Sequence, residues 1–363
     1  MSSDIYEAKP GYASMVFALV TSITFIGESI HYLSPLLFWL KNPDLLAIAV
    51  SLTLYSLSYT AAVYKLLRSK ERNAIRLVGL AGGLICTFSL LLLAFGMITP
   101  LLILIAASLG FSLGILLSTA YKFSTPKLTS ITFLGPLVGV LIIRGKDVDF
   151  YLFLFAIAIL VLSYIMLIPA RFVYVSKPTS RFDFNLPKVF IITTSVIACG
   201  LSTATLLIPI YILDVLKADL SLIGVALTGG LLLMSSISSF LARYPPPVAP
   251  RMLSSLIFVE SVMLICMMFF YNPLLFTILW IVAFAIASML GSLIAVLARE
   301  LGGVEKSAAT NLVFSFGSAF GPLIACLLWL AYTPRLMFGF GVLLCMSSGI
   351  VLRHYLAKKI PYA

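Results

Sequence analysis

Apolar residues run through this chain in long stretches, and the polar positions between them fall into short clusters. Twelve apolar segments can be marked, over residues 13–38, 44–64, 76–96, 98–120, 126–143, 150–170, 188–213, 220–241, 252–271, 273–297, 307–331 and 334–354. Most have the roughly 17–25 residues a helix needs to cross hydrocarbon. We number them segments 1 to 12. Pro and Asn mark the shortest connections, at Ile98–Thr99–Pro100 between segments 3 and 4 and at Tyr271–Asn272–Pro273 between segments 9 and 10. The first segment continues for about 25 residues without a small-residue cleavage signal, so it reads as a retained span.

Composition agrees with the pattern. Hydrophobic residues make up 61% of the 363 positions and charged residues 10%, against roughly 45–50% and 25% in soluble domains. The net charge of +11 would suggest nucleic acid in a soluble protein, but here it is a topology signal. With both termini on one side, 19 of the 24 basic residues fall in that side's loops and tails, leaving Lys41, Arg144, Lys146, Lys217 and Arg335 opposite. Basic residues favour the cytoplasmic side, which predicts cytoplasmic termini in a multi-pass protein of the cell membrane. Anionic lipid and the insertion machinery account for these charges without a nucleic-acid partner. The five cysteines, Cys86, Cys199, Cys266, Cys326 and Cys345, lie in different segments without a metal-binding spacing, so no metal or cofactor is expected and each reads as a packing residue.

The chain also repeats itself. "DLLAIAVSLT" (44–53) aligns without gaps to "DLSLIGVALT" (219–228), and the same offset carries Arg68 to Arg243 and Arg76 to Arg251. "FLGPLVG" (133–139) in segment 5 is echoed by "AFGPLIA" (319–325) in segment 11. Scarce charged residues seldom coincide by chance, so duplication is the expected origin. The division is a first six-helix bundle over 1–176, a polar link over 177–187 and a second bundle over 188–363.

With twelve spans, two six-span halves and basic loops after segments 2 and 8, the chain resembles the major facilitator superfamily. Gly135, Pro136 and Gly139 look like part of that family's GPxxG antiporter motif, and Gly321 and Pro322 lie in the echo in segment 11, with Gly317 preceding Gly321 at the same GxxxG spacing as Gly135 and Gly139. The resemblance implies an all-α membrane protein of two pseudo-symmetric halves, with segments 1, 4, 7 and 10 around a central cavity. Physically, glycine lets helix backbones approach closely and proline loosens the local hydrogen-bond ladder. Such residues serve plain packing or a conformational switch.

Two carboxylates lie within the segments, Glu28 and Glu260. A charge at membrane depth is costly, so each needs a proton, a partner or water. Thr21, Thr24, Glu28 and His31 share one helix face at i, i+3, i+7 and i+10, which places a polar stripe on segment 1. Glu28 and His31 are therefore candidates for proton coupling. The plainer alternatives are a neutral Glu28 bonded to a neighbouring helix and a His31 at the water boundary. A structural acid is the expected role of Glu260. Other candidates for the cavity wall are Tyr32, Ser108, Ser112, Ser202, Thr205, Tyr211, Trp280, Ser288 and Ser292, and Pro35 and Pro209 are expected to kink segments 1 and 7.

The function these features favour is secondary active transport of a small molecule by alternating access, coupled to H+ and slightly favouring efflux, by a monomer in the lipid bilayer. No GxxxxGK[ST] phosphate loop is present to supply an ATP motor. No basic residue lies deep in a segment, which favours a neutral, hydrophobic or cationic substrate. The alternatives are a non-transporting subunit or receptor of the same build, and a membrane-embedded lipid-modifying enzyme. The second lacks the DxxD or HExxH clusters such chemistry uses.

Overall fold

The computed structural model describes residues 33, 35–41, 43–68, 72–95, 100–121, 148–165, 186–241, 249–302 and 304–359. Those residues form helices and the short turns between them. Segment 2 is the helix Leu45–Arg68, segment 3 Arg72–Ala94, segment 4 Pro100–Tyr121 and segment 6 Val148–Ile165. In the second half, segment 8 is Leu220–Leu241, segment 9 Ala249–Phe269, segment 10 Pro273–Gly302 and segment 12 Leu336–Lys359. Segments 7 and 11 are each broken in two, as Lys188–Thr205 with Ile208–Asp214 and as Val304–Ser318 with Gly321–Ala331. Segment 5 and most of segment 1 lie outside the described residues; so do Thr21, Thr24, Glu28, His31, Tyr32, Gly135, Pro136 and Gly139.

Among the described residues, six helical stretches are each long and apolar enough to cross a membrane, over Leu45–Lys65, Lys188–Asp214, Met252–Phe269, Pro273–Ala298, Leu312–Ala331 and Leu336–Lys358. Large apolar side chains also cover the outside, with Phe88 and Ile350 64% exposed and Leu343 62%. Contiguous apolar surface on that scale needs lipid against it.

Local chemistry fixes the helix starts. Asp44 accepts the Ala47 N–H at 3.0 Å and Asn272 accepts the N–H groups of Leu274 and Leu275, so both side chains cap the helix that follows. Pro273 then occupies the first helical position, where its missing N–H costs nothing. Asp219, the repeat mate of Asp44, accepts a bond from the Ser221 hydroxyl at the start of segment 8. The aspartates that reveal the repeat are thus helix-start residues. A further ion pair, Lys41 with Asp149, joins the end of segment 1 to the start of segment 6.

Helix packing repeats along with the sequence. Segment 2 packs on 4 as segment 8 packs on 10, segment 3 on 4 as 9 on 10, and segment 3 on 6 as 9 on 12. The close contact is built differently in the two halves. In the first, Gly110 and Gly114 of segment 4 receive the backbone of segment 2 at Tyr55 and Tyr59; in the second, Gly229 and Gly230 of segment 8 receive the side chains of Ile281 and Phe284.

Segment 2 also runs along both pieces of segment 11 and so joins the first half to the second. One apolar core draws on both halves, bringing Leu33, Leu37 and Ile48 into a cluster with Ile208, Tyr211 and Cys326. These residues lie toward the end of the bundle that carries Lys41 and Lys217, here the Lys41 end. A second core, with Phe190, Ile257, Leu290, Val313 and Leu352, is built from the second half alone and lies toward the opposite, Lys188 end.

The glycine contacts predict a contrast. A methyl added at Gly110 would lie 2.2 Å from the Tyr55 carbonyl oxygen, whereas one at Gly291 meets nothing nearer than 3.7 Å. Gly110→Ala should therefore cost on the order of 1–3 kcal/mol through overpacking. Gly291→Ala should be neutral or stabilising by up to about 1 kcal/mol, since alanine is the better helix former. Denaturation of the two purified variants in detergent checks both signs.

Candidate functional site

Segments 7 and 11 each carry a turn set by a proline, and the turn of segment 11 lies against segment 7 about one helical turn before segment 7's own. In segment 7, Leu206 still donates to the Ser202 carbonyl at 3.1 Å, but Pro209 has no N–H for the carbonyl of Thr205, and the helix restarts at Ile208. In segment 11 the ladder tightens, with Ala319 donating to Phe316 and Phe320 to Gly317, before Pro322 leaves the Ser318 carbonyl without its usual donor. The expected kink at Pro209 is present as a two-residue turn, Leu206–Leu207, within one membrane-length stretch over Lys188–Asp214.

Glycine holds the breaks together. A methyl added at Gly317 would lie 2.2 Å from the Ser195 carbonyl oxygen, and one at Gly321 would lie 2.0 Å from Ser202 Oγ and 2.5 Å from the Thr203 backbone nitrogen. Segments 7 and 11 therefore touch backbone to backbone over one helical turn. Discontinuous helices can build solute and ion sites in membrane proteins, because their free backbone groups can face a cavity. Hydroxyls add second bonds to carbonyls of the helical turn before the break. Ser202 and Thr203 donate to the Cys199 carbonyl at 3.0 and 2.7 Å, and Thr205 donates to Leu201 at 2.8 Å.

The other candidates from the sequence divide among three places. Tyr211 is fully buried in an aromatic cluster at the Lys41 end, with Phe276 stacked at 5.1 Å and Phe338 and Trp329 edge-on at 5.4 and 6.0 Å. The Arg335 guanidinium closes that cluster, lying 3.5 Å over the exposed Tyr271 ring and facing the Tyr211 hydroxyl. Trp280 is buried on segment 10 beside Phe284, and its Nε1 has no hydrogen-bond partner among the described residues.

Serines behave differently from one another. Ser288 donates to its own helix at the Phe284 carbonyl, 2.9 Å away. Ser292 is exposed on the helix stripe that carries Leu274, Ile278 and Val296, all apolar and exposed. Ser108 and Ser112 face segment 3. A methyl added at Gly82 would lie 2.8 Å from Ser112 Oγ, and the Ser108 hydroxyl bonds to the Leu104 and Ile105 carbonyls of its own helix. The structure therefore brings Ser202 against Gly321, beside Pro322 and one turn from Gly317, leaves Thr205 bonded within its own helix, and places Ser108, Ser112 and Ser292 elsewhere. Sequence reasoning did not single out Arg335 and Gly200 as site residues, although a lone arginine beside two loop aromatics and a glycine midway along segment 7 were legible signals.

No family model matches the sequence, and no curated protein matches it. Among solved structures the chain is similar to the nucleoside transporter NupG, with a TM-score of 0.68 over 93% of this chain and 99% of that one, at 13% sequence identity. Identity that low carries the fold alone. The chain is an all-α polytopic membrane protein with a fold of the major facilitator type.

The glycine contact between the breaks is the feature to test. Gly321→Ala should destabilise the folded protein by roughly 1–3 kcal/mol, read as a lower thermal midpoint. Adding Ser202→Ala should recover part of that loss, because it removes one of the three atoms the methyl strikes, leaving the Thr203 nitrogen and the Ser202 carbonyl carbon. Ser315→Ala, outside the contact, should recover none.

Proposed function

We propose that the chain is a secondary transporter that moves a small neutral or cationic molecule by alternating access, in exchange for protons. The observation that carries this reading is the pair of interrupted helices joined at Gly317 and Gly321, within a fold similar to that of a known transporter. Residues 1–176 and 188–363 act as the two moving bodies and 177–187 as their cytoplasmic link. Both termini lie in the cytoplasm, and the monomer in the cell membrane is the working unit. The core shared by both halves at the Lys41 end supports a conformation closed on the outer side, with access from the Lys188 end.

Nucleosides are the first substrate class to try. They are neutral and polar, which suits a chain with no basic residue deep in its segments, and the neighbour in fold space is a nucleoside transporter. Glu28 and His31 supply the proton site in this reading, because they share one polar face of segment 1 with Thr21 and Thr24. A carboxylate and an imidazole at helical i, i+3 spacing can share a proton and exchange it with water on either side as the cavity alternates.

Reconstituted liposomes test the reading. Uptake of labelled uridine or adenosine should exceed that of protein-free liposomes, respond to an imposed pH gradient and lose that response to a protonophore. Glu28→Gln should keep the thermal midpoint and lose the gradient response. Uptake no faster than in empty liposomes would remove nucleosides as substrates, and an unchanged gradient response in Glu28→Gln would remove Glu28 from the coupling.

A further inference from the structure

Glu260 lies in segment 9, away from the breaks. It is 0% exposed, and neither carboxyl oxygen has a hydrogen-bond partner among the described residues. Two contacts fix what it faces. A methyl added at Gly349 of segment 12 would lie 2.6 Å from Ile257, and one at Gly339 would lie 3.8 Å from Met268. These antiparallel contacts bracket Glu260 and set it opposite the Cys345–Met346 stretch of segment 12.

Cys345 links this position to segment 7. Its thiol is near enough to Glu260 to interact electrostatically, and it donates to the Ile197 carbonyl at 3.7 Å. A methyl added at Gly200 would lie 2.9 Å from Cys345 Sγ and from the Gly341 carbonyl oxygen. Segment 12 is thus pressed against segment 7 at Gly200 and Gly341 and against segment 9 at Gly349. Glu260 thus faces segment 12 level with the Cys345 contact to segment 7.

Among the described residues no counter-charge stands opposite it. Segment 12 offers only the Cys345 thiol, since its next titratable residue is Arg353, about 12 Å further along the helix. Segment 10 has no titratable residue between Pro273 and Leu297. On segment 7 the near titratable group is Cys199, and on segment 9 itself Cys266 lies almost two turns away. With no metal-binding group of His, Cys, Asp or Glu among the described residues, the chemistry left to this carboxyl is that of a proton.

We propose that Glu260 is a proton-binding site at the contact of segments 9 and 12, neutral while the helices are packed and open to exchange with water only when segment 12 moves off segment 9. The group thereby reports the position of segment 12, and through Cys345 and Gly200 that of segment 7. This does not depend on the transport reading, since it is read on the protein without any substrate.

The test uses the full chain in lipid nanodiscs and dicyclohexylcarbodiimide, a lipid-soluble reagent that adds a protonated carboxyl across its C=N bond. Peptide mass spectrometry should find Glu260 modified at pH 6 and at least tenfold more slowly at pH 9. Glu260→Gln, which has the shape of the neutral acid, should keep its thermal midpoint within a few degrees and carry no label at that position. Absence of label at both pH values in protein that melts normally would overturn the proposal, as would equal rates at pH 6 and pH 9. Both readings come from the wild-type chain, so they hold even if the variant fails to fold.

Discussion

Backbone-to-backbone contact at glycine is the constraint on which this fold depends. Lipid tails are as apolar as the helices they surround, so no hydrophobic force presses one helix on another. What remains is close packing and the matching of polar groups. Gly110, Gly317, Gly321 and Gly341 each stand where a methyl would come within 2.8 Å or less of a neighbouring backbone or side-chain atom. These contacts place segment 4 on 2, segment 11 on 7 and segment 12 on 7. Around them, larger side chains fill two cores, one shared between the halves and one belonging to the second half alone.

The same closeness explains why segments 7 and 11 can be broken without cost to the assembly. A broken helix in lipid leaves carbonyls without donors, and such groups persist only where protein or a cavity covers them. Here the turn of segment 11 lies against segment 7 close to its own turn, and the hydroxyls of Ser202, Thr203 and Thr205 bond to carbonyls of the helical turn before the break. Rigid pieces on either side of a loosened turn give the second half a place to bend. The aromatic cluster of Tyr211, Phe276 and Phe338, covered by Arg335, holds the Lys41 end of that half together.

Much of this architecture was legible in the sequence, and its limits have physical causes. Apolar runs located the helices closely, with segment 8 found over the same residues 220–241 in both. The aspartate repeat was real, although its cause is helix capping at Asp44 and bonding at the same place by Asp219, which no pattern of apolar residues displays. Periodicity tells which residues share a face and is silent on which neighbour that face meets. Ser108 and Ser112 therefore looked like cavity residues, while they face segment 3 at Gly82. Proline announced the break in segment 7, but the meeting of that break with segment 11 needed three-dimensional placement. The polar stripe of Thr21, Thr24, Glu28 and His31 lies outside the described residues, so its place in the site rests on helical spacing alone.

Alternating motion of the two halves is the central claim, and paired distance measurements test it most directly. Spin labels at Pro43 and Lys217 would report the Lys41 end, and labels at Lys65 and Lys188 the opposite end, in a chain whose five cysteines have been replaced; all four positions are exposed. Double electron–electron resonance in nanodiscs, at acid and alkaline pH, should show the two distances changing in opposite directions, one end opening as the other closes. Two distances that stay fixed, or that lengthen and shorten together, would contradict the account.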